Sequence, residues 1–287
     1  MTMTIPITLR QMQPSDIGFA VQLALKESWK GQDEELFQSF LAYDPKGCFV
    51  AEKGKNRIGI CIATGYNHAG FIGELIVTEN ERGQGIGKSL LDHSIDYLRK
   101  KGAKSIYLDG VVAAVPLYER TGFNKLFRSL RFSGKIQAAS HPDVRQMQME
   151  DFQTIGQMDT KAFGDDRTFF LKRRLARNPE LCHVMKCDGR IVGYIFAKRS
   201  GDIISIGPWW MQPVVSSSVL ILIHLASQAQ DIPLRIGVLE TNLKAVGFLR
   251  SLNLEESPDP PWRMVLGPKG NLGMSDQFYA IGSAAKG

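Results

Sequence analysis

Three glycines at alternating positions stand in the run Arg82-Gly83-Gln84-Gly85-Ile86-Gly87-Lys88-Ser89, directly ahead of an amphipathic stretch. Glycine lets a main chain approach an anion closely, and the start of a helix offers unpaired amides at the positive end of its dipole. The chemistry open to such a turn is the cradling of phosphate. A plain strand-to-helix turn needs one glycine, not three in alternation. Neither common nucleotide loop fits. The phosphate-binding loop of nucleotide hydrolases requires glycine where Arg82 stands, and the dinucleotide fingerprint Gly-x-Gly-x-x-Gly is out of step with Gly83, Gly85 and Gly87 by one position.

The run resembles the Arg/Gln-x-x-Gly-x-Gly/Ala signature of the GNAT superfamily of N-acetyltransferases, with Gln84, Ile86 and Gly87 also in keeping and Val77 five residues before Arg82. The likeness extends upstream over the strand from Glu74 to Val77. Downstream it takes in Leu117-Tyr118-Glu119-Arg120-Thr121-Gly122-Phe123, similar to the family's Leu-Tyr-x-x-x-Gly-Phe element. Two motifs at the right separation are more specific than either alone. The resemblance covers the first half by motif and the second by architecture only.

It implies acetyl-coenzyme A as co-substrate and direct transfer of an acetyl group to a primary amine. Backbone amides from Gly83 to Lys88, with Arg82, Gln84 and Ser89 in the same turn, are then expected to hold the pyrophosphate. The backbone of Ile76 and Val77 is expected to pair with the pantetheine arm like an added strand, an amide near Val77 facing the oxyanion. Tyr118 matches the tyrosine that protonates the departing thiolate. A base must take the amine's proton, directly or through water. Glu74 is the first choice and Asp109, at a strand end, its rival. The asparagine that many relatives place several residues before the tyrosine is missing from Asp109-Gly110-Val111-Val112-Ala113-Ala114.

The elements that must position these residues read as two mixed α/β halves, 1–135 and 136–287, joined by a small, polar stretch near 134–142 that ends in Pro142. The fold expected is a tandem of two acyl-coenzyme A N-acyltransferase-like domains, each a mixed central sheet flanked by helices. Both halves open alike, with Asp16 before Ile17, Phe19, Ala20, Val21 and Leu23, and Asp151 before Phe152, Ile155 and Met158, as aspartate-capped helices. Both continue with a hairpin, 48–52 with 58–63 and 183–186 with 191–197, the latter turning at Asp188-Gly189. In the first half a buried strand over 71–77, the glycine turn, a helix over 88–101 capped by Gly102, a strand over 105–108 and a short segment 115–120 follow.

The second half lacks the cradle. Its strand over 203–207 leads into Pro208-Trp209-Trp210-Met211-Gln212-Pro213 and Val214-Val215-Ser216-Ser217-Ser218-Val219, without arginine or alternating glycines. Asn242 opens an element like the one missing above, but Phe248 stands at or near the tyrosine position and cannot donate a proton. A degenerate, catalytically silent domain is expected, completing the acceptor pocket or bracing the first half. Trp209, Trp210 and Trp262 read either as an aromatic wall or as packing. The run 162–167 reads as a helix-capping aspartate with an ion pair.

Composition is that of a globular protein: 287 residues, 44% hydrophobic and 22% charged. The aliphatic run 219–223 is too short for a membrane span, and Met1–Pro6 shows no secretory signal, so a cytoplasmic protein with no membrane partner is expected. Cys48, Cys61, Cys182 and Cys187 form no disulfide framework, and Cys182-His183 with Cys187 has no second ligand pair for a metal. The net charge of +6 favours acidic or neutral acceptors, but basic residues interleave with acids and make no nucleic-acid patch. Three readings stay open: a transferase acting on a small or amino-acid-like amine, a non-catalytic acyl-coenzyme A sensor or scaffold, and a peptide or protein N-acetyltransferase. The sequence leaves monomer and homodimer equally open.

Overall fold

The computed structural model describes residues 6–29, 31–213, 219–228 and 232–287. The first half runs β1 (Ile7–Gln11), α1 (Ile17–Lys26), α2 (Glu34–Tyr43), β2 (Cys48–Lys53), β3 (Asn56–Gly65), β4 (Ala69–Val77), α3 (Ile86–Lys100), β5 (Ser105–Gly110), α4 (Val115–Arg120) and β6 (Asn124–Gly134). The second repeats that order as β7 (Val144–Gln146), α5 (Phe152–Phe163), α6 (Thr168–Arg177), β8 (His183–Cys187), β9 (Arg190–Ser200), β10 (Ile203–Met211), α7 (Val219–Gln228), β11 (Leu234–Leu239) and α8 (Leu243–Ser251). The short β12 (Glu255–Glu256), β13 (Trp262–Leu266) and β14 (Phe278–Ala280) complete it. This is the mixed α/β tandem that the sequence pattern predicts. No helix among the described residues is long and apolar enough to cross a membrane.

Small details repeat as well. Arg10 pairs with Asp16 at 2.6 Å and Arg145 with Asp151 at 2.7 Å, at the same place in the two halves. Neither aspartate caps its helix forward, as the sequence suggests. Each carboxylate instead accepts the N–H of the glutamine three residues earlier, Gln13 at 2.7 Å and Gln148 at 2.9 Å, closing the turn that precedes the helix.

One sheet runs through both halves in the order β1-β2-β3-β4-β5-β13-β6-β11-β10-β9-β8-β7. Its centre is an exchange. β13, from the second half, lies antiparallel to β5 of the first, and β6, from the first, lies antiparallel to β11 of the second. In space each half thus completes the other's sheet. A buried cluster takes Phe37, Phe40 and Phe71 from one half and Phe163, Phe170 and Tyr194 from the other. Burial of this continuous apolar surface locks the halves together.

The expected hairpins and the helix after the glycine turn are present, the helix beginning at Ile86, two residues early. The reason is Gly85, which at φ +82° is the residue from which the helix starts. In the second half β10 does not stop at Gly207 but continues through Trp210, with a register shift between Ile206 and Trp209 that accommodates Pro208. The expected turn at Val214–Ser218 and the residues Met1–Ile5 lie outside the described residues.

Candidate active site

β4 pairs with its parallel neighbour β5 only from Ala69 to Ile72. Beyond Gly73 an extra residue enters β4 opposite β3, because Ile62 faces Gly73 while Ile60 faces Ile76. Glu74, at φ +50°, carries this bulge. Residues 74–77 therefore keep β3 on one side and leave the side facing β5 without a ladder partner. A cavity of about 880 Å³ opens there, lined by β4, the glycine turn and α4.

The turn presents donors to this cavity. The first intrahelical bond of α3 runs from the Ser89 N–H to the Gly85 carbonyl at 3.0 Å, so the N–H groups of Ile86, Gly87 and Lys88 have no intrahelical acceptor. Gly83 and Gly85 both sit at positive φ, +78° and +82°, with open space where a Cβ would be. They are glycines for backbone conformation, and no side chain shields the amides. Arg82 donates through Nε to the Val77 carbonyl at 2.9 Å and pairs with Glu27, tying the turn to the open end of β4. Ile76, Val77, Arg82, Gly83, Gly85, Ile86, Gly87 and Lys88 all line the cavity. Two residues expected beside them do not. Gln84 turns to Glu81 at 3.1 Å, and the Ser89 hydroxyl turns back to the Gly85 carbonyl at 3.3 Å.

Tyr118 reaches the same cavity from α4. Its ring lies so close to β5 that a Cβ on Gly110 would meet it at 2.8 Å, and Phe123 packs edge-on at 6.0 Å. Burial, with the Cys61 thiol nearby, pushes the phenol above its ordinary range. At neutral pH it is a proton donor and not a phenolate.

Glu74 is buried at the junction of the halves. Burial pushes its carboxyl up to about 7, against a hydrogen bond from Gln32 at 3.4 Å and the pull of Lys286 and Lys198. Its Oε2 has no hydrogen-bond partner among the described residues. A carboxyl that changes state near neutrality with one oxygen free is able to accept a proton, but Glu74 is not among the residues that line the cavity beside β4.

Asp109 has no such freedom. Burial would raise its carboxyl, but Arg263 and Arg131 outweigh that and hold it below the usual range. Ser129 donates to it at 2.8 Å and Arg131 at 3.0 Å, with Arg263 closer still. Protonating it would strand two buried guanidinium groups. Its work is structural: from β5 it clasps β6 and β13, the two exchanged strands.

The three tryptophans form no wall on this cavity. Trp209 is core, against Tyr279 at 4.9 Å, and Trp210 stacks on Tyr194 at 5.7 Å. Trp262 lies under the Arg128 guanidinium at 4.1 Å. The tryptophan that does line the cavity is Trp29, just past α1, which no spacing rule marks. In the run 162–167, Arg167 and not an aspartate is the N-cap of α6; Asp166, one residue earlier, accepts from the Thr168 N–H at 2.8 Å, and Arg167 pairs with Asp159 at 2.8 Å. Asp165 instead accepts from the Asn67 and His68 N–H groups in the β3–β4 turn, at 3.0 and 2.8 Å. Among the described residues no three His, Cys, Asp or Glu side chains gather as metal ligands.

The corresponding place in the second half is filled. β10 pairs with parallel β11 from Ile204 to Ile206, and then Trp209 and Trp210 pair with β14. The Asn242 amide donates to the Asp276 and Phe278 carbonyls, at 2.7 and 2.9 Å, holding β14 there. Past α4 and α8 respectively, Gly122 and Asn253 take positive φ, and counting back from these places Leu249, not Phe248, opposite Tyr118. Neither can donate a proton.

These features agree with what the chain resembles. The Acetyltransferase (GNAT) family model matches residues 17–123, and an Acetyltransferase (GNAT) domain model matches residues 155–280. N-alpha-acetyltransferase 30 of Schizosaccharomyces pombe is 32% identical over 119 residues, 39% of this chain and 79% of that protein. Two solved structures share the fold over almost the whole length. An acetyltransferase candidate from Pyrococcus horikoshii has a TM-score of 0.82 at 23% identity, covering 98% of this chain and 96% of its own. A tandem GNAT protein from the clavulanic acid biosynthesis pathway has a TM-score of 0.63 at 12% identity, covering 92% and 100%.

Proposed function

The chain belongs to the GNAT N-acetyltransferases, and from that premise we propose that its first half, 1–135, transfers an acetyl group from acetyl-coenzyme A directly to the primary amine of a small or amino-acid-like acceptor. The observation that carries this reading is the cavity beside β4, where an unladdered strand edge, the first-turn amides of α3 and the Tyr118 side chain converge. These donors suit the co-substrate: amides between Gly83 and Lys88 for the diphosphate, Ile76 and Val77 for the pantetheine amides.

When bound, acetyl-coenzyme A supplies an acyl thioester. The chain's own groups do the rest. Glu74 takes the proton that the acceptor ammonium must lose, directly or through water. A main-chain N–H near Val77 stabilises the developing oxyanion, and Tyr118 delivers a proton to the leaving sulfur. The second half, 136–287, is catalytically silent, its own slot holding β14, and it closes the acceptor side.

Calorimetric titration with acetyl-coenzyme A, followed by thiol release against a panel of amines, tests this. Saturable binding and amine-dependent thiol release are expected. No binding defeats the reading outright, and binding without thiol release from any amine favours a sensor or scaffold. The likeness to an N-alpha-acetyltransferase supports a second acceptor class, peptide amino termini, and short peptides in the same assay separate the two.

A further inference from the structure

Behind Glu74, between α2 and α6, two narrow clefts meet at Leu36, Arg174, Lys198 and Gly282. Six basic side chains and a single side-chain carboxylate, Glu35, line the first; four basic side chains and no side-chain carboxylate line the second. Most of these cations are satisfied elsewhere. Glu35 holds Arg173 at 2.5 Å, Asp159 holds Arg167 at 2.8 Å, and Asp33 holds Lys198 at 3.1 Å.

Two are not so paired. Arg174 spends its guanidinium on the main-chain carbonyls of Gly207 and Gly282. Lys286 lies 4.7 Å from the Phe40 ring centre and 4.6 Å from that of Phe170. Among the described residues neither has an Asp or Glu carboxylate within salt-bridge distance. Burial pushes Lys286 well below the ordinary lysine range and lowers Arg174 too, each feeling the other cations of the cluster. Buried cations left in this state are costly unless an anion joins them.

We propose that the acceptor carries an anionic group, a carboxylate or a phosphate, alongside its amine, and that Lys286 and Arg174 receive that group. The proposal rests on the transferase reading above and names its substrate class. The clefts, about 50 and 90 Å³, hold a small charged head group and a water or two but not a coenzyme. They adjoin the base. Gln32, which lines the second cleft, donates to Glu74, and Lys286 and Lys198 act on the Glu74 carboxyl. An acceptor anchored by its anion thus brings its amine toward Glu74. The segment 282–287, which carries Lys286, packs so closely on β4 that a Cβ at Gly73 would lie 2.5 Å from Ala285. The anion-binding lysine and the base are therefore fixed by one contact.

The test compares amines matched in length, with and without the anion: O-phosphoethanolamine with ethanolamine, and 4-aminobutyrate with butylamine. Thiol release should favour the anionic member of at least one pair by about tenfold or more in kcat/KM, the phosphate and carboxylate arms showing which group is preferred. Lys286→Met should shrink that preference about tenfold. Equal or faster turnover of both neutral amines overturns the proposal, even where Lys286→Met fails to fold. Independently, phosphate and acetate are titrated into protein saturated with acetyl-coenzyme A, which keeps the glycine turn filled. Binding of one anion that weakens in Lys286→Met supports the proposal, and no binding of either, or binding indifferent to the substitution, overturns it. Acetyl-coenzyme A binding without turnover of any amine defeats the transferase reading instead, while the anion titration still decides this one.

Discussion

At β4 the first half of the molecule opens, and at β10 the second half, built in the same order, is closed. Both strands run parallel to a neighbour for a few residues and then part from it. A parted strand leaves main-chain donors and acceptors without partners, a debt that must be met by chain, water or ligand. The second half meets it internally, with β14 laid along Trp209 and Trp210 and Asn242 gripping its carbonyls. The first half leaves its edge to the cavity. The contrast lies in what meets the parted strand: the chain itself in the second half, an open cavity beside the glycine turn in the first.

The largest expected effect separates the halves by function. Gly85→Asp puts a side chain at φ +82° and a carboxylate against the unpaired amides of α3, so acetyl-coenzyme A binding should be lost, by about a hundredfold or more in calorimetry. Arg82→Glu should act the same way, adding repulsion from Glu27. Asn242→Ala should do the opposite: cost about 2 kcal/mol or more in chemical denaturation, because two carbonyls and a helix cap lose their partner, yet leave acetyl-coenzyme A affinity unchanged. Equal loss of affinity in Asn242→Ala would break the comparison.

Next in size is the tyrosine. Tyr118→Phe should lower kcat by about a hundredfold with little change in KM for acetyl-coenzyme A, as loss of a general acid does. Leu249→Tyr in that background should restore nothing, because the slot beside it is filled by β14. Unchanged turnover in Tyr118→Phe removes the acid assignment.

A smaller effect follows from Glu74, whose carboxyl sits at about 7. Only its ionised form accepts a proton, so kcat/KM should climb as pH rises toward 7 and level above it. Glu74→Gln should lower the rate and flatten that limb. The same shift acts on stability with a definite sign. A carboxyl raised by folding contributes stability below its unfolded value that is lost as pH rises through about 7. Thermal unfolding of Glu74→Gln should therefore gain on the parent above neutrality and match it in acid. A limb unmoved by the substitution assigns the base elsewhere.

Local chemistry was legible in the sequence and long-range pairing was not. Glycine permits the positive φ that Gly83 and Gly85 adopt and leaves the amides unshielded whatever surrounds them, so the turn from Arg82 to Lys88 could be read directly. The hairpin at Asp188-Gly189 was legible for the same reason. Asp109 misled because a carboxylate at a strand end looks catalytic, and only the exchange of β6 and β13 brings Arg131 and Arg263 onto it. Trp209 and Trp210 follow the packing branch of their reading, buried in a strand that runs on past Gly207. Glu74, Arg174, Lys198 and Lys286 are far apart in the chain, and no periodicity connects them. Their meeting is a product of how the halves pack.

The smallest expected effect is also the sharpest test of the comparison. Val111 stands as far before Tyr118 as Asn242 stands before Leu249, and it lines the cavity. In the second half the asparagine both caps α8, by accepting from the Ala245 N–H at 3.0 Å, and holds the strand that fills the slot. In the first half valine does neither. Val111→Asn therefore returns to the open slot the donor that the filled slot uses. If the slots are equivalent, the new amide should bond the pantetheine arm as Asn242 bonds β14, and acetyl-coenzyme A should bind about three- to tenfold more tightly, the worth of one hydrogen bond in a partly buried site. Tighter binding with kcat little changed would show that the missing asparagine costs the first half affinity and not chemistry. A gain in thermal stability without a gain in affinity would show that Asn242 serves its helix first, and that β14 stands in its slot for reasons of packing alone.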